Sequence, residues 1–237
     1  MGDTERLENL GGGLRAVTTE RFGFGADAVL LADFSAVRGE RRLCDLGTGC
    51  GIIPLLWCRA RRSVEIDAFE IQPEAAKLAQ KAAEINGLSI NVYNTDMRLI
   101  ERSFNGRYDL VASNPPYFRA GAAKLSQDGG AAVARHETEC TLEDVTRTAS
   151  RLLRERGRFC LCQRPDRLAD VLVLMRASGV EPKRLRLVQQ NVSTRPWLAL
   201  IEGRKGGGYG LETLPVLLAE ENGAETDEMR RIYGDYT

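Results

Sequence analysis

Histidine is almost missing from this chain: His136 is the only one, and none of the six cysteines forms a Cys-x-x-Cys pair. This argues against a multi-histidine metal centre and leaves a His-based nucleophilic triad a single possible base. The cysteines, at 44, 50, 58, 140, 160 and 162, read as small buried hydrophobes of a reducing compartment rather than disulfides or zinc ligands. No run approaches the roughly 18 uninterrupted apolar residues of a membrane helix. The N-terminal residues lack a basic-then-apolar secretion pattern, so the expected compartment is the cytoplasm. There is no internal repeat and no linker-like stretch, and the expectation is no metal, no membrane and no obligate protein partner.

With 237 residues, 43% hydrophobic and 28% charged, the chain suits one folded α/β domain. Net charge is zero but unevenly spread. From Arg147 to Lys205 basic residues exceed acidic ones by nine, and from Gly206 onward acids exceed bases by five. A basic segment within a neutral chain points to nucleic acid; a solvated helix face explains it equally well.

Strand and helix patterns alternate. Strands are expected at 42–46, 64–71, 90–95, 108–113 and 157–162, with helices from Asp27 as cap, after Gly51, over 73–85, from Thr141 to Arg156 and over 165–178. Such alternation predicts a doubly wound, mostly parallel sheet. Segments 185–190 and 197–202 are too close for a crossover helix, so they form an antiparallel C-terminal pair. This gives seven strands. Gly11-Gly-Gly13 predicts a flexible start, and 118–135, rich in Gly and Ala, reads as an ordering lid or substrate loop.

Two runs carry the chemistry. The first, Asp45-Leu-Gly-Thr-Gly-Cys-Gly51, joins a strand to a helix through Gly47, Thr48 and Gly49. Glycines there let backbone approach a ligand and aim helix N–H groups at it. The spacing is not the Gly-x-Gly-x-x-Gly of dinucleotide sites. Asp45 would repel a pyrophosphate but attract an ammonium or sulfonium, and S-adenosylmethionine carries both cations and no phosphate. Glu70, ending the second strand, suits ribose hydroxyls. Asp96, ending the third, suits an adenine amino group, with Ile71 and Met97 flanking the ring. Taken singly, each acid is an ordinary strand-end cap.

The second run is Asn114-Pro-Pro-Tyr117. Asn114 supplies a side-chain carbonyl, Pro115 a backbone carbonyl without an N–H, and Tyr117 a stacking face. An amine conjugated to a ring is a poor nucleophile. Two acceptors on its hydrogens favour a tetrahedral nitrogen whose lone pair can point at a sulfonium methyl. Read alone, the tetrapeptide is also a plain turn.

These residues resemble the class I methyltransferases with an Asn-Pro-Pro-Tyr motif. More narrowly, the chain is similar to the bacterial tRNA adenine-N6 methyltransferases that modify adenine 37 of a valine tRNA. The resemblance runs from about Gly23 to Gly210. It rests on Phe22-Gly-Phe-Gly-Ala-Asp-Ala-Val-Leu-Leu-Ala32, the run from Asp45 to Pro54, Phe69-Glu-Ile-Gln72, Ser113-Asn-Pro-Pro-Tyr-Phe118, Ala134-Arg-His-Glu137, Glu181-Pro-Lys-Arg-Leu-Arg186 and Glu202-Gly-Arg-Lys-Gly-Gly207. It implies that Asn114 and Tyr117 hold the adenine and that Asp45, Glu70 and Asp96 hold the cofactor. Gly23 to Asp27, with Phe24 and Gly25, would close over the methionine end. The implied layout is a single domain with a cofactor-covering segment (1–37), a core (38–205) and a C-terminal extension (206–237).

The basic surplus nominates Lys183, Arg184, Arg186, Arg204 and Lys205 as contacts to the phosphates of a tRNA substrate. Arg135, His136 and Glu137 read as a loop-anchoring cluster or a substrate contact. The rival readings are a glutamine-N5 protein methyltransferase, a guanine-N2 methyltransferase, and a non-catalytic RNA-binding or chaperone-like module that keeps the cofactor pocket. The glutamine-N5 enzymes usually carry an N-terminal helical domain, for which about 35 residues before the first core strand are too few.

Overall fold

The computed structural model describes residues 4–60, 63–115 and 140–234. The chain runs through β1 (Arg6–Asn9), β2 (Arg15–Thr18), α1 (Ala26–Phe34), β3 (Arg42–Leu46), α2 (Ile52–Ala60), β4 (Glu65–Glu70), α3 (Pro73–Ile85), β5 (Ile90–Asn94) and β6 (Tyr108–Ser113). It continues through α4 (Leu142–Leu152), β7 (Leu153–Gln163), α5 (Leu168–Ala177), β8 (Val180–Gln189) and β9 (Leu198–Lys205). It closes with the short strands β10 (Glu212–Thr213), β11 (Leu217–Leu218), β12 (Glu220–Glu221) and β13 (Ala224–Glu225), then α6 (Asp227–Tyr233).

Among the described residues the main sheet has the order β10-β8-β9-β7-β6-β3-β4-β5, with β11 also on β8. The pairs joining β7, β6, β3, β4 and β5 are parallel. β9 runs antiparallel to both of its neighbours, β7 and β8. The expected parallel core with an antiparallel C-terminal pair is therefore present, and β10 and β11 widen it to nine strands.

Alternation along the strands sorts side chains to two faces. Leu43, Ile66, Leu110, Ala112, Cys160, Cys162 and Leu200 pack with α1, α2 and α3. Cys44, Phe69, Val111, Phe159, Leu161 and Ile201 pack with α4 and α5. Helices thus cover both faces, which is why the central strands are apolar at nearly every position.

Local chemistry sets the helix ends. Pro73 opens α3, where a missing N–H costs nothing, and Gly87 at φ 61° follows its end. Thr141 and Asp144 form a reciprocal capping box at the start of α4. That helix stops at Leu152 instead of reaching Arg156. Leu153 pairs with Tyr108, and the next pair is Arg158 with Leu110, so residues 154–157 bulge out of the ladder. Arg156 there has φ 64°, and a Cβ on Gly157 would lie 2.9 Å from the Arg154 carbonyl. Likewise α1 begins at Ala26 with Asp27 inside its first turn, the cap position being Gly25.

Two further expectations are corrected. Gly11-Gly-Gly13 is the tight turn of the β1–β2 hairpin, all three glycines having positive φ, with Leu10 and Leu14 buried on either side. Asn86 exchanges hydrogen bonds with both backbone groups of Arg15, tying the hairpin to the end of α3. β8 begins at Val180, five residues before the expected start. Pro182 is tolerated because the register slips between it and Arg184.

Candidate functional site

Four side chains lie side by side on neighbouring strands at the carboxyl edge of the sheet. Asp45 and Glu70 have the strand parity of Leu43 and Ile66, Asn114 that of Leu110 and Ala112, and Cys162 that of Cys160. All four therefore project to the α1–α3 face. β3 lies between β4 and β6, and β6 beside β7, so adjacency in the sheet brings them together.

Asp45 is fully buried, and neither carboxylate oxygen has a hydrogen-bond partner; the buried Thr48 hydroxyl lacks one too. Burial pushes the Asp45 carboxyl up to about 7; the neighbouring Thr48 hydroxyl opposes that shift and the charge of Glu70 adds to it. A buried carboxylate without donors is costly, and a cation seated against it removes the cost.

The glycine turn is built differently from an anion cradle. The N–H groups of Gly47 and Thr48 both donate to the Phe69 carbonyl, at 2.8 and 3.1 Å. Gly49 N–H donates to Glu70 Oε2 at 2.8 Å, and Gly51 N–H to the Thr48 carbonyl at 2.9 Å. Four of the turn's five N–H groups are thus spent inside the protein, so the expected donation to a ligand is replaced by self-bracing. Such a turn has little left for a pyrophosphate and suits a cationic ligand facing Asp45.

All three turn glycines have positive φ. A Cβ on Gly51 would meet Ala79 Cβ at 3.1 Å, so this glycine also packs α2 on α3. Cβ atoms on Gly47 and Gly49 would meet nothing within 4 Å. The space over those two is open to a ligand.

Glu70 is buried and doubly engaged, its second oxygen accepting from Gln72 N–H at 2.9 Å. Each oxygen retains a lone pair for a hydroxyl. Asp96 caps a short 3-10 turn and grips Arg98, whose hydrogen bonds hold its carboxyl below the usual range. Ile71 is 50% exposed beside it, while Met97 is half-buried against the second core cluster. Phe24 packs partly on the first cluster, and Gly25 is exposed at the start of α1.

Asn114 Oδ1 accepts from the Cys162 thiol at 3.0 Å, and Pro115 is buried behind it. Ser113 Oγ donates to the Leu46 carbonyl at 2.8 Å, fixing the end of β6 to the start of the glycine turn. Tyr117, the lid expected at 118–135 and the Arg135-His136-Glu137 cluster lie outside the described residues.

Sequence reasoning missed Cys162, whose only signal was its place at the end of β7. It also missed Glu8, which accepts from the buried Thr18 hydroxyl at 2.6 Å and whose charge, after the larger effect of burial, helps raise the Cys50 thiol in the turn. Nothing in the sequence linked the N-terminal hairpin to the site.

Of the five nominated RNA contacts only Arg186 is level with this edge, in register with Leu200 and through it with Cys162, two strands away on β8; the other four lie lower. Arg204 pairs with Arg158 and Lys205 with Val180, at the opposite end of the strands. At about 3.3 Å per residue that is roughly 15 Å below the edge. Arg184 bonds Glu202 at 2.9 Å and lies over the Phe34 ring. Arg186 makes a two-pronged pair with Glu228 at 2.7 and 2.8 Å. Lys183 holds the Gly208 and Tyr209 carbonyls, and Lys205 the Leu153 carbonyl. Arg204 is exposed.

Among the described residues no cluster of His, Cys, Asp and Glu could hold a metal, and no helix is long and apolar enough to cross a membrane.

Comparison with known proteins bears on the family and the fold. Residues 19–166 match the model of the methyltransferase small domain. A tRNA1(Val) (adenine(37)-N6)-methyltransferase of Tolumonas auensis is 31% identical over 180 residues, 75% of this chain and 74% of that protein. The protein of the same name from Yersinia enterocolitica is 30% identical over 220 residues, 90% of this chain and 80% of its own. Among solved structures, a protein of Agrobacterium tumefaciens described as a predicted O-methyltransferase superposes with TM-score 0.70 at 23% identity, over 87% of this chain and 95% of its own. A Thermus thermophilus 16S rRNA N2 G1207 methyltransferase, solved with AdoMet and guanosine, superposes with TM-score 0.58 at 20% identity, over 85% of this chain and 50% of its own.

Proposed function

The chain belongs to the methyltransferase small domain family, and from that premise we propose that it methylates N6 of an adenine in tRNA, using S-adenosylmethionine. The observation that carries the reading is the placement of the Asn114 carbonyl on the same sheet face as the partnerless Asp45 carboxylate. The curated relatives named for adenine 37 of tRNA1(Val) support that base as the target. We place the activity in the cytoplasm, where tRNA is modified, and read the chain as one catalytic unit with short terminal additions.

Bound cofactor supplies an electrophilic methyl group on a positively charged sulfur. Asp45 binds the cofactor's cationic amino-acid end, which offsets the burial of the carboxylate. Glu70 accepts the ribose hydroxyls while bracing Gly49 and Gln72. Ile71 and Met97 border the adenine ring, and Asp96 meets its amino group beside Arg98. Phe24 and Gly25, entering α1, cover the methionine end.

Asn114 Oδ1 and the Pro115 carbonyl accept the hydrogens of the target amine, with Tyr117 as the stacking partner of its ring. The thiol of Cys162 donates to Oδ1 and helps hold the amide in place. Nothing here demands a strong base: the acceptors stabilise the partial positive charge that grows on nitrogen.

Tritiated methyl transfer from the cofactor into separated RNA and protein fractions tests the reading. Label in small RNA, recovered as N6-methyladenosine, is expected. Label in protein as N5-methylglutamine, or in RNA as N2-methylguanosine, would replace this reading with one of its rivals.

A further inference from the structure

An RNA that delivers a base to Asn114 must lie along the carboxyl edge, so its contacts belong to whatever flanks that edge. β7 ends there at Gln163, and Gln163 pairs with Ala199, near the start of β9. The β8–β9 loop, residues 190–197, therefore sits beside the catalytic strand end. With strands about 4.8 Å apart and about 3.3 Å of rise per residue, Trp197, two strands over and three residues beyond the level of Asn114, lies roughly 14 Å from it. That spans one or two nucleotides of a splayed strand.

The loop is preorganised. Asn191 N–H donates to Thr194 Oγ1 at 3.1 Å, Ser193 N–H to Asn191 Oδ1 at 3.0 Å, and Trp197 N–H to the Val188 carbonyl at 2.9 Å. Gln189 also holds the Thr194 carbonyl. On this braced loop Trp197 is 39% exposed, Val192 76%, and Arg195 is exposed between them. An indole turned to solvent beside an arginine, next to a site that receives a planar base, costs burial free energy unless something stacks on it. Across β7, Arg164 is half-exposed, with Asp166 3.6 Å away. A pair so exposed contributes little, and a phosphate can displace it.

Resting on the tRNA reading above, we propose that the β8–β9 loop together with Arg164 is the platform for an unpaired RNA loop. Trp197 stacks on a base neighbouring the target, and Arg195 and Arg164 contact the flanking phosphates. This moves the nucleic-acid surface from the basic amino edge around Arg204 to the carboxyl edge.

The test measures KM for tRNA, the salt dependence of tRNA binding and cofactor affinity in Trp197→Ala, Trp197→Phe, Arg195→Ala and Arg204→Ala. Trp197→Ala should raise KM about tenfold or more, and Trp197→Phe should restore most of it, because stacking needs an aromatic face rather than an indole. Arg195→Ala should flatten the logarithmic salt slope by about one unit. Cofactor affinity should hold in all four, and Arg204→Ala should behave as wild type. RNA methylation by the wild type with unchanged KM and slope in the Trp197 and Arg195 variants overturns the platform alone. Transfer into protein and into no RNA overturns the tRNA reading and the platform with it.

Discussion

The Gly49 N–H donates to Oε2 of Glu70 at 2.8 Å, so the residue ending β4 holds the turn that follows β3. One carboxylate thereby shapes the cofactor cradle and lines it. Glu70→Ala should leave two N–H groups, of Gly49 and Gln72, without acceptors, at about 1–3 kcal/mol each. The expected outcome is a lower melting temperature together with at least tenfold weaker cofactor binding by calorimetry. Loss of affinity at unchanged stability would mean that the brace is unimportant.

Asp45 makes opposite pH dependences for folding and binding. Its carboxyl is raised by burial from the ordinary 3.8 to about 7. A raised acid contributes stability that is fully present below about pH 4 and lost as pH climbs through 7, on the order of 4 kcal/mol in all. Cofactor-free protein should lose stability over that window, and Asp45→Asn should remove this part of the slope. Cofactor affinity should instead tighten as pH rises through 7, because the ionised carboxylate meets a cation. A wild type and an Asp45→Asn variant with the same two profiles would contradict the assignment.

The glycines of the turn separate stability from ligand space. Gly51→Ala combines a left-handed backbone with a 3.1 Å approach to Ala79 and should cost roughly 2–4 kcal/mol. Gly49→Ala meets no protein atom within 4 Å, so beyond the cost of its positive φ it should act on cofactor affinity. Thermal melts and calorimetry on the two variants should therefore rank them in opposite orders.

Cys162 acts through Asn114. Removing the thiol donor in Cys162→Val should lower kcat severalfold by loosening one hold on the Asn114 amide, with cofactor affinity unchanged. Cys162→Ser should restore most of the rate. Equal loss in both variants would mark the residue as a packing element only.

Much of this was legible in the sequence where local chemistry decides. β3 and β6 fall on their expected residues because short, nearly continuous apolar runs end at a glycine turn and at Asn114-Pro115. The acids at the strand ends were readable because parallel strands put their C-termini on one edge. Charge counting failed as a map of surface, since Glu202 and Glu228 reach Arg184 and Arg186 from 18 and 42 residues away. The hairpin at Gly11-Gly-Gly13 was hidden for the same reason: glycine runs mark flexibility or a tight turn, and the anchor, Asn86, lies 71 residues from Arg15. The early end of α4 came from a ladder bulge that no local propensity encodes.

The most direct measurement is nucleoside mass spectrometry of tRNA from a strain lacking the gene, incubated with S-adenosylmethionine and either wild-type protein or Asn114→Ala. N6-methyladenosine at one adenine of a valine tRNA is expected with the wild type. Asn114→Ala should give less than a few per cent of that rate at nearly unchanged cofactor affinity. Undiminished methylation by Asn114→Ala, or a wild type that leaves adenine unmodified, would contradict the proposed function.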